Sequence, residues 1–205
     1  MALALLAQGY TNVLVGCGET LSKVIHPEIR ETWFGLADGA AALWIARDET
    51  ARGPSAFEIL SSVYSTDGRQ VDLYTTPGTL PPNAAELEQG RYFLSGDSSA
   101  LGAQALARYT AMIEALLPDP VRRSAIKFLI PHQVNLSLIQ EVQARTGLGG
   151  RSHWIADRVG NMGGTSVLYA WVDALRTQSF QPGDEILLMS VGGGLSFAAQ
   201  LWRAL

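Results

Sequence analysis

The sequence has 205 residues, 47% of them hydrophobic and 17% charged, which is enough apolar material for a sizeable core and too much for a disordered chain. Fifteen Lys and Arg against nineteen Asp and Glu give a net charge of −4, and no stretch clusters the basic side chains, so nucleic acid is not an expected partner. A single cysteine, Cys17, excludes an internal disulfide; with three scattered histidines, His26, His132 and His153, it leaves no metal-ligand spacing, so no metal site and a reducing, cytoplasmic setting are expected.

Met1 to Ala7 is apolar but has no basic flank and is too short to span a bilayer, so neither a signal peptide nor a membrane anchor is expected. The segment predicts a helix with no capping residue before it, like the tail of a longer one. Thr11 to Cys17 predicts a buried strand after a tight turn. Ala40–Ala46 and Ala56–Tyr64 predict two more, separated by the charged turn Arg47-Asp48-Glu49. Pro77 to Glu88, rich in Pro, Gly and Asn, reads as a surface loop. From Ser98 the apolar period becomes helical, through Leu101, Ala105, Tyr109, Met112, Ile113 and Leu116, until Pro118 and Pro120 stop it. Lys127–Ile130 predicts a buried strand, Asn135–Arg145 a helix closed by Gly147, and Ser166–Gln178 another helix. The last strands, Glu185–Val191 and Leu195–Trp202, flank Gly192-Gly193-Gly194. Helices alternating with buried strands indicate a layered α/β fold. No phosphate-loop or dinucleotide fingerprint is present, and Gly194-Leu195-Ser196-Phe197-Ala198 lacks the second glycine of a nucleophile elbow.

Three segments could carry chemistry. Pro131-His132-Gln133-Val134-Asn135 puts a histidine and an asparagine at the end of a buried strand, where open α/β sheets hold ligands; a structurally bonded loop histidine is the alternative. Gly160-Asn161-Met162-Gly163-Gly164-Thr165-Ser166 could aim an amide into a cleft, or be a turn with a left-handed Asn and a helix cap at Thr165 or Ser166. The triple glycine could present amides to an oxyanion, or be a tight inter-strand turn.

In order and spacing, these three segments resemble the β-ketoacyl-acyl-carrier-protein synthase III family of thiolase-fold condensing enzymes. Phe34-Gly35-Leu36-Ala37-Asp38-Gly39-Ala40-Ala41 and Gln181-Pro182-Gly183-Asp184 resemble two further family stretches. The resemblance implies the C-terminal half of a thiolase-like αβαβα fold over residues 53–205, preceded by the last strands of the N-terminal half in residues 1–52. It implies that His132 and Asn161 stabilise an enolate, that the Gly193 amide serves the oxyanion hole, and that Asn135 supports the His132 loop. No cofactor is expected, the substrate being a thioester of coenzyme A or of the acyl carrier protein's phosphopantetheine.

The family's nucleophilic cysteine has no counterpart here: it would lie about ten residues ahead of Met1. Cys17 reads as a buried structural thiol. A second polypeptide or a missing segment carrying the cysteine is therefore expected as partner, in a homo- or hetero-oligomer, because one thiolase half leaves a large apolar face uncovered. Ser137 stands where many family members carry an Arg thought to receive the carrier protein. Three readings follow: an acyltransferase forming a carbon–carbon bond, acyl transfer without decarboxylation, and a non-catalytic subunit that stabilises a catalytic partner.

Overall fold

The computed structural model describes residues 1–29, 35–47 and 55–205. A short helix, α1 (Ala2–Ala7), leads into β1 (Asn12–Thr20), which pairs antiparallel with β2 (Asp38–Ala46) in a separate two-stranded sheet. The main body is a five-stranded sheet. Its strands are β3 (Phe57–Thr66), β6 (Phe128–Pro131), β7 (Arg151–Ser152), β8 (Glu185–Gly192) and β9 (Ser196–Ala204), in the order β3-β9-β8-β6-β7. β6 runs parallel to β7 and β8, whereas β9 is antiparallel to both β8 and β3. A smaller pair joins β4 (Tyr74–Thr75) to β5 (Ser95–Gly96).

Helices cover the main sheet on both faces, and the period-two alternation of the strands decides which side chain meets which layer. Leu129, Leu187 and Met189 point to one side, where Tyr109, Ile113 and Leu117 from α3 (Ser98–Leu116) and its end meet Ile139 and Val142 from α5 (Leu136–Thr146). Phe128, Ile130, Ile186 and Leu188 point to the other, against Val167, Ala170, Trp171 and Ala174 of α7 (Ser166–Thr177). Each such large side chain, removed from water, contributes about 1.5–3 kcal/mol. Asp97 and Asn135 cap α3 and α5 through their side chains, and Gly147, at φ +66°, closes α5 in the left-handed conformation that glycine adopts without strain.

The structure departs from the sequence reading in four places. β1 is longer than the predicted strand and is not buried: on its outer face Leu14 and the opposing Trp44 are 73% and 71% exposed. An apolar β-branched run signals a strand without saying whether both of its faces are covered. β2 and β3 are not neighbours across a turn but belong to different sheets. The expected turn residues Asp48 and Glu49 lie outside the described residues, as do Phe34 and the expected boundary between residues 52 and 53. The expected loop at Pro77–Glu88 ends in a helix, α2 (Ala84–Glu88), opened by a capping box between Asn83 and Glu86. Beyond Pro118, Asp119 caps a further turn, α4 (Pro120–Ser124). No helix among the described residues is long and apolar enough to cross a membrane.

Candidate active site

His132 follows the last residue of β6 directly. Because β6 and β8 are parallel, with Pro131 opposite Met189, His132 emerges at the same carboxyl edge of the sheet as the Gly192–Gly194 turn. This is the edge at which α/β sheets bind ligands. His132 is 7% exposed, and burial alone holds its imidazole pKa down at about 4, so the ring is neutral at physiological pH. Its Nδ1 atom is buried and has no partner among the described residues. Three residues on, Asn135 accepts the Leu138 amide at 3.0 Å, which fixes the start of α5 and with it the end of the His132 turn.

Gln133, adjacent to His132 and 1% exposed, spends its whole side-chain amide on backbone groups. Nε2 donates to the carbonyls of Pro131 at 2.8 Å and His153 at 3.2 Å, while Oε1 accepts the amides of Ile155 at 2.9 Å and Ala156 at 3.2 Å. Ala156 opens α6 (Ala156–Val159), and Gly160, at φ +71°, ends that helix and turns the chain into Asn161.

Asn161 is held by its backbone and by one end of its side chain. Its amide donates to the Gly35 carbonyl and its carbonyl accepts the Ala37 amide, each at 2.8 Å. Its Oδ1 accepts from the Gly163 amide at 2.9 Å and the Ser166 hydroxyl at 3.1 Å. With Oδ1 occupied, the Nδ2 protons donate to nothing among the described residues and are available to a ligand. The left-handed Asn of the alternative reading is not found: Gly160 and Gly163 take the positive-φ positions instead. Nor does Thr165 or Ser166 cap α7 by side chain. Thr165 bonds back to the Met162 carbonyl, and Ser166 accepts the Met162 amide and supports Asn161.

Gly193 lies in the β8–β9 turn, which Leu195 anchors by exchanging two backbone hydrogen bonds with Asp67, at 2.8 and 3.0 Å. The nearest atom to a Cβ built on Gly193 is the Tyr74 carbonyl at 3.6 Å, so steric exclusion does not explain this glycine. Cys17 lies within β1, opposite Ala41, with its sulfur beside the turn before α7, 3.1 Å from where a Cβ on Gly164 would sit. It is half-buried, and burial followed by the neighbouring Glu19 carboxylate pushes its thiol pKa up, against nucleophilic use. Among the described residues no cluster of three or more His, Cys, Asp or Glu side chains could hold a metal ion.

Residues 1–68 match the family of 3-oxoacyl-[acyl-carrier-protein] synthase III, and residues 119–204 match the C-terminal region of the same synthase. The chain belongs to the 3-oxoacyl-[acyl-carrier-protein] synthase III family. Among curated relatives, the β-ketoacyl-[acyl-carrier-protein] synthase III of Roseiflexus sp. strain RS-1 is 30% identical over 94% of the chain, and that of Caldanaerobacter subterraneus 32% identical over 94%. The chain covers only 58% of the length of each. The crystal structure of the Pseudomonas aeruginosa 3-oxoacyl-(acyl carrier protein) synthase III superposes with a TM-score of 0.83 at 25% identity, covering 98% of this chain and 62% of that one. The thiolase-like layered fold expected of a synthase III relative is therefore the fold observed. Sequence reasoning found the segments around His132, Asn161 and Gly193 but not Gln133, Ser166 or the backbone of residues 35–37 as their supports. The only available signal was their place inside, or beside, the motif stretches.

Proposed function

We propose that this chain supplies the two neutral N–H donors of a condensing acyltransferase acting on acyl-carrier-protein or coenzyme A thioesters, with the cysteine nucleophile contributed by residues outside these 205. The observation that carries this reading is that His132 is kept neutral by burial and that Asn161 has its Oδ1 already occupied, which leaves its N–H groups to donate. Both offer N–H groups to an oxygen that gains charge only during reaction, and donors of that kind lower a barrier because they are oriented beforehand. A malonyl thioester would lose carbon dioxide, the electron pair of the broken C–C bond passing into the thioester as an enolate whose oxygen His132 and Asn161 hold. The enolate carbon would then attack an acyl-cysteine, forming the new C–C bond and expelling the thiolate, while the Gly193 amide steadies the oxyanion of that addition. Asn135 acts at one remove by fixing the His132 turn.

The face presented by Leu14 and the opposing Trp44 supports a partner that supplies the thiol, because exposed large apolar side chains set side by side are costly to leave in water. The raised pKa and strand position of Cys17 support the same need and equally favour a second reading, a subunit that stabilises a catalytic partner without reacting. The test is reconstitution with a cysteine-bearing synthase III N-terminal segment, measuring carbon dioxide release and β-ketoacyl product. His132→Ala and Asn161→Ala are each expected to lower kcat by about 10²–10³-fold. Unchanged turnover with weakened association would replace the catalytic reading with the scaffold reading; ester or amide product without carbon dioxide would indicate acyl transfer without decarboxylation.

A further inference from the structure

We propose that Gln133 is the positioning residue that sets the separation between His132 and Asn161, by clamping the His132 turn to the start of the helix that delivers Asn161. The inference rests on the functional reading above, in which both donors must face one oxygen atom. Such a pair works only if its spacing is fixed to within a fraction of an ångström, and neither donor is bonded to the other in the structure.

Gln133 joins the two segments by the shortest available route. On one side it is covalently next to His132. On the other, Oε1 accepts the amides of Ile155 and Ala156, which open the four-residue helix α6; Gly160 caps that helix by donating to the Ala156 carbonyl at 2.9 Å, and Asn161 follows. One helical turn therefore separates the clamp from the second donor. Nε2 closes the other half by holding the Pro131 and His153 carbonyls, so both amide protons and both acceptor positions of Oε1 are used. The far end is rigid as well: the His153 amide donates to the Leu129 carbonyl at 2.8 Å, and its Nε2 lies 2.8 Å from Asp173 Oδ2 on α7, a carboxylate that Arg158 also binds at 2.9 Å. Burial obliges any amide to satisfy its hydrogen bonds; what singles out Gln133 is that its four partners, at Pro131, His153, Ile155 and Ala156, bridge the two segments that carry His132 and Asn161.

The experiment uses the full chain. Its three histidines give three imidazole signals, assigned by single His→Gln variants, and the His132 titration is followed by NMR in wild type, Gln133→Met and Leu148→Ala. Leu148, a buried core residue after α5, provides general destabilisation without touching the clamp. In Gln133→Met the His132 midpoint is expected to rise by about one unit as water reaches the loosened ring. In the reconstituted enzyme, kcat is expected to fall about 100-fold, with KM changed by less than about twofold. Leu148→Ala is expected to lower the melting temperature and leave both readouts in place. An unmoved His132 midpoint and kcat in Gln133→Met, or equal changes in Leu148→Ala, would overturn the proposal. If Gln133→Met does not fold, Gln133→Asn, which keeps an uncharged amide but shortens its reach by one methylene, takes its place with the same criteria. Failure of the wild-type complex to decarboxylate malonyl thioester would instead remove the functional reading, while the titration comparison would still decide whether Gln133 holds His132.

Discussion

His132 is neutral because burial penalises its charged form, and the same penalty makes the fold sensitive to acid. Its folded pKa, about 4, lies below the value of about 6.5 expected in the unfolded chain, so between those values the unfolded state binds the extra proton. Stability from this group is fully present above pH 6.5 and is lost as pH falls through the folded value. Urea unfolding at pH 7.5 and pH 4.5 is expected to show wild type losing about 2–3 kcal/mol more than His132→Gln across that interval. Asn161→Asp asks the complementary question at the other donor. The aspartate keeps the oxygen that accepts from Gly163 and Ser166 but replaces the free N–H pair with a second acceptor. Reconstituted turnover is expected to fall by about 10²–10³-fold, with the urea midpoint little changed. The two positions proposed as donors are legible in the sequence because the resemblance to the family's motifs points to them. Their support is not, since Gly35, Ala37 and Ser166 act through backbone bonds and a hydroxyl contact that depend on tertiary placement.

At the scale of elements, long periodic segments are legible and their environments are less so. The apolar period of Ser98–Leu116 and the Gly147 stop identify α3 and α5 to within a residue or two, because a helical stripe and a left-handed cap are local properties. The exposure of β1 depends on what lies across it, which no window of sequence records. The capping box Asn83-Ala-Ala-Glu86 was readable, but the Pro and Gly around it pointed to a loop. Two glycines of like appearance in sequence have opposite roles in the structure. Gly102, inside α3, has open space where a Cβ would go, so Gly102→Ala is expected to stabilise by about 0.5–1 kcal/mol through the helix preference alone. At Gly149 a Cβ would lie 1.9 Å from the Ser124 carbonyl oxygen, and Gly149→Ala is expected to cost about 1–3 kcal/mol as the loop between α5 and β7 is forced away from α4. Thermal melts of the two variants should move in opposite directions.

At the scale of the whole molecule, the two sheets differ in how completely they are covered. The five-stranded sheet has helices on both faces, whereas the β1–β2 pair has a half-buried face toward the Asn161 turn and an outer face bearing Leu14, Trp44 and several glycines and alanines. Because Leu14 is already mostly in water, Leu14→Lys is expected to change the stability of the chain by less than about 0.5 kcal/mol. The same substitution is expected to weaken association with a cysteine-bearing N-terminal segment by more than about 2 kcal/mol, as measured by sedimentation. Equal binding by the variant would mean that the partner does not use this face.

The inner face of the β1–β2 pair carries a different consequence. Asn161 takes its backbone partners from Gly35 and Ala37, and the Gly164 amide in the same turn is accepted at 3.2 Å by Glu19, against which a Cβ at Gly163 or Gly164 would lie at 3.1 Å. The segment carrying β1 and β2 could not be freely exchanged for a different one. A chimera with a larger side chain at position 19, joined to the glycines at 163 and 164, would displace Asn161 while keeping every residue of both motifs. Exchange of the β1–β2 segment of this chain is therefore constrained at the joint between Glu19 and the glycines at 163 and 164.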